Sequence, residues 1–173
     1  MGKPAHDRLN IRIAGHDDAS AMARVRREAI LSKAVTHYND AIVNDWADAT
    51  DFAERVRQIE QRIAEPGSIV LVAEAGRDML GFAMADLPSC ELQALYAGPN
   101  GSGGVGRALL AALEQRAFAT IPFLACDASL NAEGFYKANG YVEESRNDFV
   151  TPGGLISRVV RMKKRRPRNE PSS

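Results

Sequence analysis

Four glycines crowd into six positions, Gly101, Gly103, Gly104 and Gly106, inside the stretch GSGGVGRALLAALEQ over residues 101–115. Glycine serves where a backbone needs positive φ or close approach to a ligand, and in a regular element each one costs about 0.5–1 kcal/mol relative to alanine. An amphipathic helix pattern follows at once, with Val105, Leu109, Ala112 and Leu113 on its apolar face. The chain must therefore fold so that a glycine turn feeds directly into a helix N-terminus. Such a turn directs several unpaired N–H groups outward, and the helix dipole adds roughly half a positive charge there. A phosphate group matches that arrangement, and Arg107 in the first turn adds a side-chain cation.

The elements around the turn decide which phosphate ligand it suits. Residues 9–14 alternate as a first strand, and a helix over 19–32 carries Met22, Val25, Ala29 and Ile30 on one stripe. Asp17 or Asp18 is placed to cap it. An irregular segment over 35–46 holds His37, Tyr38 and Trp46, with Asn39 or Asp40 as the cap of a short helix to Ala47. A helix over 51–64 follows and ends at Pro66 and Gly67. SIVLVAEA, residues 68–75, is a continuous apolar run that reads as a buried strand. Strands over 79–87 and 90–97 complete a meander, and in the last of them Glu91, Gln93 and Leu95 share one face by the period of two. After the glycine helix come a strand over 122–128, a helix over 131–139 closed by Gly140, and two strands over 141–150 and 155–162. The helix between strands predicts one parallel pair with a right-handed crossover.

One domain is expected over 9–162, with loose ends at 1–8 and at the basic run 163–173. Lysine plus arginine and aspartate plus glutamate number 22 each, which disfavours a nucleic-acid surface. Cys90 and Cys126 form neither a disulfide framework nor a metal-ligand spacing, and no apolar run is long enough for a bilayer or placed as a secretory signal. A cytoplasmic location, no membrane partner and no metal are the expectations.

Two ligand readings fit the turn. Gly101, Gly103 and Gly106 spell GxGxxG, and Asp127 lies about twenty residues beyond them, where a dinucleotide fold places its ribose-binding acid. On that reading the chain is an NAD(P)-dependent oxidoreductase. A dinucleotide fold, however, places its glycine turn after the first strand of repeated βαβ units, and here roughly ninety residues of helices and meander come first. Counted instead from Gly101, with Gly104 and Gly106 as the glycines, the stretch resembles the acyl-coenzyme A loop of the GNAT superfamily of N-acetyltransferases. AEGFYKANGY, residues 132–141, is similar to a second GNAT segment through Ala132, Phe135, Tyr136, Gly140 and Tyr141. With both motifs in order, the resemblance extends over nearly the whole chain.

The resemblance implies a mixed α/β fold: a mostly antiparallel sheet of six to seven strands flanked by helices, one parallel pair splayed at the cofactor loop. It implies acetyl-CoA as co-substrate and direct acetyl transfer to an amine, in a small molecule or a peptide. A noncatalytic acyl-CoA-binding module is an alternative, and a homodimer suits the fold. Carried over residue by residue, it assigns cofactor contacts to Leu95, Tyr96, Ala97, Gly101, Ser102, Gly103, Gly104, Val105, Gly106, Arg107, Ser129 and Asn131. Ser129 stands where the family has asparagine, and Asn131 is the better N-cap of the helix that follows. The family's usual Gln or Arg is replaced by Gly101, so that side-chain contact is missing. Glu91 is the candidate general base and Tyr136 the candidate acid for the leaving thiolate, since a phenol with pKa near 10 stays protonated where a thiol near 8.5 does not. His37 and Tyr38 are candidate acceptor-pocket residues, the alternative being a helix-capping role.

Overall fold

The computed structural model describes residues 8–101 and 103–168. Seven strands form one sheet: β1 (Asn10–Ile13), β2 (Ser68–Ala75), β3 (Asp78–Asp86), β4 (Glu91–Ala97), β5 (Phe123–Ser129), β6 (Val142–Val150) and β7 (Ile156–Arg165). Their spatial order is β1-β2-β3-β4-β5-β7-β6, antiparallel throughout except for β4 beside β5. This is the mixed sheet the sequence predicts. One parallel pair beside four antiparallel strands is incompatible with repeated βαβ units, which removes the dinucleotide reading.

Each face of the sheet has its own core. On one, α4 (Val105–Ala117) lays Leu109, Leu110 and Leu113 against Leu71, Ala73, Ala83 and Ala85, and α5 (Glu133–Ala138) adds Tyr136. On the other, α1 (Ala19–Lys33) and α3 (Phe52–Ala64) bring Met22, Val25 and Ile59 onto Val70, Val72 and Phe82. Strand β2 is buried on both faces because its apolar run feeds both cores, the reason its sequence does not alternate. The short α2 (Asp40–Asp48) closes a third, smaller cluster with Ile30, Ala34 and Tyr38.

Caps follow the side-chain chemistry with two exceptions. Asn39 Oδ1 accepts from the Ile42 amide at 3.0 Å, and Asp51 accepts from the amides of Ala53 and Glu54. Asp18 occupies the N-cap position of α1 but turns its carboxylate back to the Gly15 amide and Arg12. Asn131 is no cap either: it lies in a 3-10 turn over Leu130–Ala132, and α5 starts only at Glu133. Strand β7 runs on to Arg165, so Lys163, Lys164 and Arg165 belong to the sheet rather than to the expected loose tail. Of the expected loose N-terminus, residues 1–7 lie outside the described residues.

Candidate active site

Strands β4 and β5 touch in register at a single pair, Glu91 with Ala125, where the Ala125 amide donates to the Cys90 carbonyl at 3.0 Å. Beyond that point they part, and the β5-facing edge of β4 has no ladder partner. A bulge sits at the parting. Met84 pairs with Ala94 but Ala85 pairs with Leu92, so Gln93 is the extra residue. The expectation that Glu91, Gln93 and Leu95 share a face fails for this reason. Leu92 and Leu95 both pack toward α4, whereas Ala94 and Tyr96 pack toward α1 and α3. Glu91, next to Leu92, is thereby turned to the α1 and α3 side.

The parting opens a cavity of about 550 Å³ that reaches from the start of α4 and from α5 through the gap to Ala29, Lys33 and Trp46. Its walls include Leu95, Tyr96 and Ala97 from β4, Ser129 at the end of β5, Asn131 just after it, and Tyr136 from α5. Gly101, Gly103, Gly104, Gly106 and Arg107 line its mouth, while Val105 is buried beneath. Ser102 lies outside the described residues. Gly104 is the N-cap of α4 at φ 101°, and neither it nor Gly103 has any atom within 4 Å of where a Cβ would stand, so the helix N-terminus faces open space. Gly101 is glycine for the opposite reason: its Cβ would stand 2.5 Å from the Leu80 carbonyl oxygen. A side chain at this position has no room unless the Leu80 carbonyl moves.

Two further features fit an extended, amide-bearing ligand. Asn131 Oδ1 is buried and lacks a partner among the described residues, an acceptor waiting for an N–H. The Tyr136 ring is wedged between Phe135 and Tyr141, each centroid 5.3 Å away. Burial holds its phenol well above the ordinary range, so it is a proton donor throughout neutral pH. Cys126 also lines the cavity, and burial pushes its thiol up to about 12. A thiol so disfavoured as thiolate is no nucleophile.

A second cavity, about 790 Å³, lies across the sheet and shares Trp46, Leu92, Tyr96 and Asp127 with the first. Glu91 lines this one. It is not a free carboxylate: both oxygens accept from the Arg161 guanidinium, one at 2.8 Å, and Arg161 also reaches Asp127 at 3.4 Å. These bonds hold Arg161 above its ordinary pKa. A carboxylate whose two oxygens are both engaged is poorly arranged to collect a proton directly.

The structure does not bring His37 or Tyr38 to either cavity. His37 is exposed, with Nδ1 2.7 Å from Thr36 Oγ1. The buried Tyr38 hydroxyl donates to the Arg158 carbonyl and accepts from the Leu130 amide, both at 2.8 Å. It ties α2's approach to β7, and its ring meets Trp46 edge-on at 5.6 Å, so Trp46 reaches the cavities with Tyr38 as its support.

The acetyltransferase (GNAT) domain family matches residues 33–166 of this sequence. The chain belongs to the GNAT acetyltransferase family. A GCN5-related N-acetyltransferase from Rhodopseudomonas palustris is 28% identical, with TM-score 0.81 over 95% of this chain and 99% of its own. The fold is also that of the PaiA N-acetyltransferase of Thermoplasma acidophilum in complex with coenzyme A, at 21% identity and TM-score 0.72 over 91% of this chain and 99% of that one. It recurs in YncA of Salmonella typhimurium with acetyl-CoA, at 22% identity and TM-score 0.67 over 95% and 98%. None of the curated proteins matches the sequence.

Several groups of this GNAT domain escape sequence reasoning. Lys33 lines the cofactor-side cavity and donates to the Ala97 carbonyl at 2.6 Å, and burial holds its pKa down. Arg26 and Arg55 line the second cavity from two different helices, and Arg161 of β7 is bonded to the Glu91 that lines it. None sits in a motif. The one available signal is Arg26, a cation on the otherwise apolar stripe of Met22, Val25, Ala29 and Ile30.

Proposed function

We propose that this protein transfers the acetyl group of acetyl-CoA to an amine by direct attack, without an acyl-enzyme. The observation that carries the reading is the parting of β4 from β5 after one pair, with a glycine-lined helix N-terminus at one end and a buried tyrosine in the wall. Family membership supports it. So do the coenzyme A and acetyl-CoA bound to two proteins of the same fold.

The thioester supplies an activated acetyl carbon and a thiolate leaving group. The open amides at the start of α4, together with Arg107, hold the pyrophosphate. Asn131 Oδ1 accepts an amide N–H of the arm. On the stretch Leu95–Ala97 the amides that face the gap, alternating with the Tyr96 amide that faces β3, donate to the carbonyl oxygen as its negative charge grows, the role of an oxyanion hole. The acceptor approaches from the second cavity. Its ammonium is drawn to Glu91 and Asp127, two carboxylates around one guanidinium, and gives up a proton to water there. As the nitrogen–carbon bond forms and the carbon–sulfur bond breaks, the Tyr136 hydroxyl passes its proton to sulfur, and the proton shed by the nitrogen as it becomes an amide is relayed through water to restore the tyrosine hydroxyl. Cys126, held protonated, takes no part.

A thermal-shift titration with acetyl-CoA, coenzyme A, NADH and NADPH side by side tests the reading. A ligand at a hundred times its Kd, bound only by the folded state, adds about 2.7 kcal/mol, several degrees in Tm. Stabilisation by the coenzyme A pair alone, followed by coenzyme A release with an amine present, is the expected result. Stabilisation by a nicotinamide nucleotide alone overturns it, and acetyl-CoA binding without transfer to any amine marks a noncatalytic acyl-CoA-binding module.

A further inference from the structure

The second cavity has an electrical polarity that acetyl transfer as such does not require. Glu91, at the one β4–β5 pair, and Asp127 line it and share Arg161. Elsewhere in the same cavity stand Arg26 of α1 and Arg55 of α3, and neither has a carboxylate partner among the described residues. Arg26 is buried, donates to the Trp46 carbonyl at 2.9 Å and lies 5.9 Å from the centre of the Tyr96 ring. Arg55 is half-buried and donates only to neutral oxygens, Gln58 Oε1 and Thr50 Oγ1, each at 2.9 Å. Arg62, at the rim of the cavity, is matched by Glu65 at 2.7 Å.

Two guanidiniums without a counter-charge are a costly arrangement. Burial holds the Arg55 pKa below its ordinary value, and the charge of Arg26 adds to the effect. Elsewhere Arg12, Arg27, Arg57 and Arg146 each meet a carboxylate, so the chain does not lack acids to supply. What the pair lacks is an anion that arrives from outside. Guanidinium forks bind carboxylates in just this way, through parallel N–H donors.

We infer that the acceptor is a carboxylate-bearing amine: its carboxylate is bound by Arg26 and Arg55, and its ammonium faces Glu91 and Asp127. Trp46 and Phe149, 6.4 Å apart, line the same cavity and offer an apolar wall for the acceptor's side group. The inference rests on the acetyl-transfer reading and names the substrate class of that site.

The test compares amines that differ only in the carboxylate: phenylalanine with phenethylamine, methionine with 3-(methylthio)propylamine, and leucine with 3-methylbutylamine. Coenzyme A release gives kcat/KM for each, with acetyl-CoA binding followed separately by thermal shift. The amino acid is expected to be preferred in at least one pair, by roughly tenfold or more. Arg55→Gln should abolish that preference through KM, Arg55→Lys should keep part of it, and both should retain the acetyl-CoA shift, which shows that they fold. A preference near one, a preference for the plain amine, or a preference untouched by Arg55→Gln overturns the inference while leaving acetyl transfer standing. So does bound acetyl-CoA with no pair member acetylated. A protein that acetyl-CoA fails to stabilise overturns the transfer reading itself, and the inference with it.

Discussion

Tyr136 shows how one residue can be legible in sequence when its neighbours are not. It sits in a motif, and the structure puts it in the cavity wall, packed by Phe135 and Tyr141. Tyr136→Phe keeps that packing and removes only the proton. Turnover should fall by about a hundredfold, the lower range for a lost general acid, with little change in the acetyl-CoA Kd. Cys126→Ala should leave turnover near wild type. Equal turnover in the tyrosine variant, or inactivity of a folded cysteine variant, would reverse those roles. Glu91 and Tyr38 were harder to read because their partners are remote in sequence. Glu91 meets Arg161 and Tyr38 meets Arg158, contacts that only the β5–β7 pairing brings into reach. No local pattern encodes an ion pair that depends on a distant register.

At the scale of elements, the glycine loop is two devices joined end to end. Gly103 and Gly104 keep the front of α4 clear, while Gly101 lets the loop press against the Leu80 carbonyl of β3. Gly101→Gln, which restores the family's usual side chain, should therefore weaken acetyl-CoA binding rather than improve it. It should also lower Tm by several degrees, since relieving such a clash costs about 1–3 kcal/mol. Tighter binding in this variant would show that Leu80 yields. The helices and the meander were readable from periodicity because burial enforces it. The bulge at Gln93 was not, since one extra residue leaves no compositional mark and yet reverses which face Glu91 serves.

Across the whole molecule, the edge strand β1 is fastened by charge. Arg12 donates to both oxygens of Asp18, at 2.7 and 2.9 Å, and to Glu74 of β2 at 3.0 Å. Hydrogen bonds from Arg12 hold both carboxyls below their ordinary values of 3.8 and 4.5. A depressed carboxyl stabilises the fold above its ordinary pKa and loses that contribution as pH falls through the folded value. Tm should thus be flat from neutrality to about pH 5 and decline below about pH 4, and Arg12→Ala should make the decline shallower. High salt should blunt the difference, because the cluster is partly exposed. An identical acid profile in the variant would assign acid sensitivity elsewhere. The sheet has its weakest backbone seam at its centre rather than its edge. Strands β1 to β4 and strands β5 to β7 are each laddered along their length, but meet through one register pair, through the apolar side chains of α4 and α5, and through polar side-chain contacts such as Glu91 with Arg161 and Tyr38 with Arg158. Cohesion between the halves is therefore a matter of side chains rather than of backbone. A ligand lying in the seam becomes a rivet, adding contacts where the backbone ladder is missing.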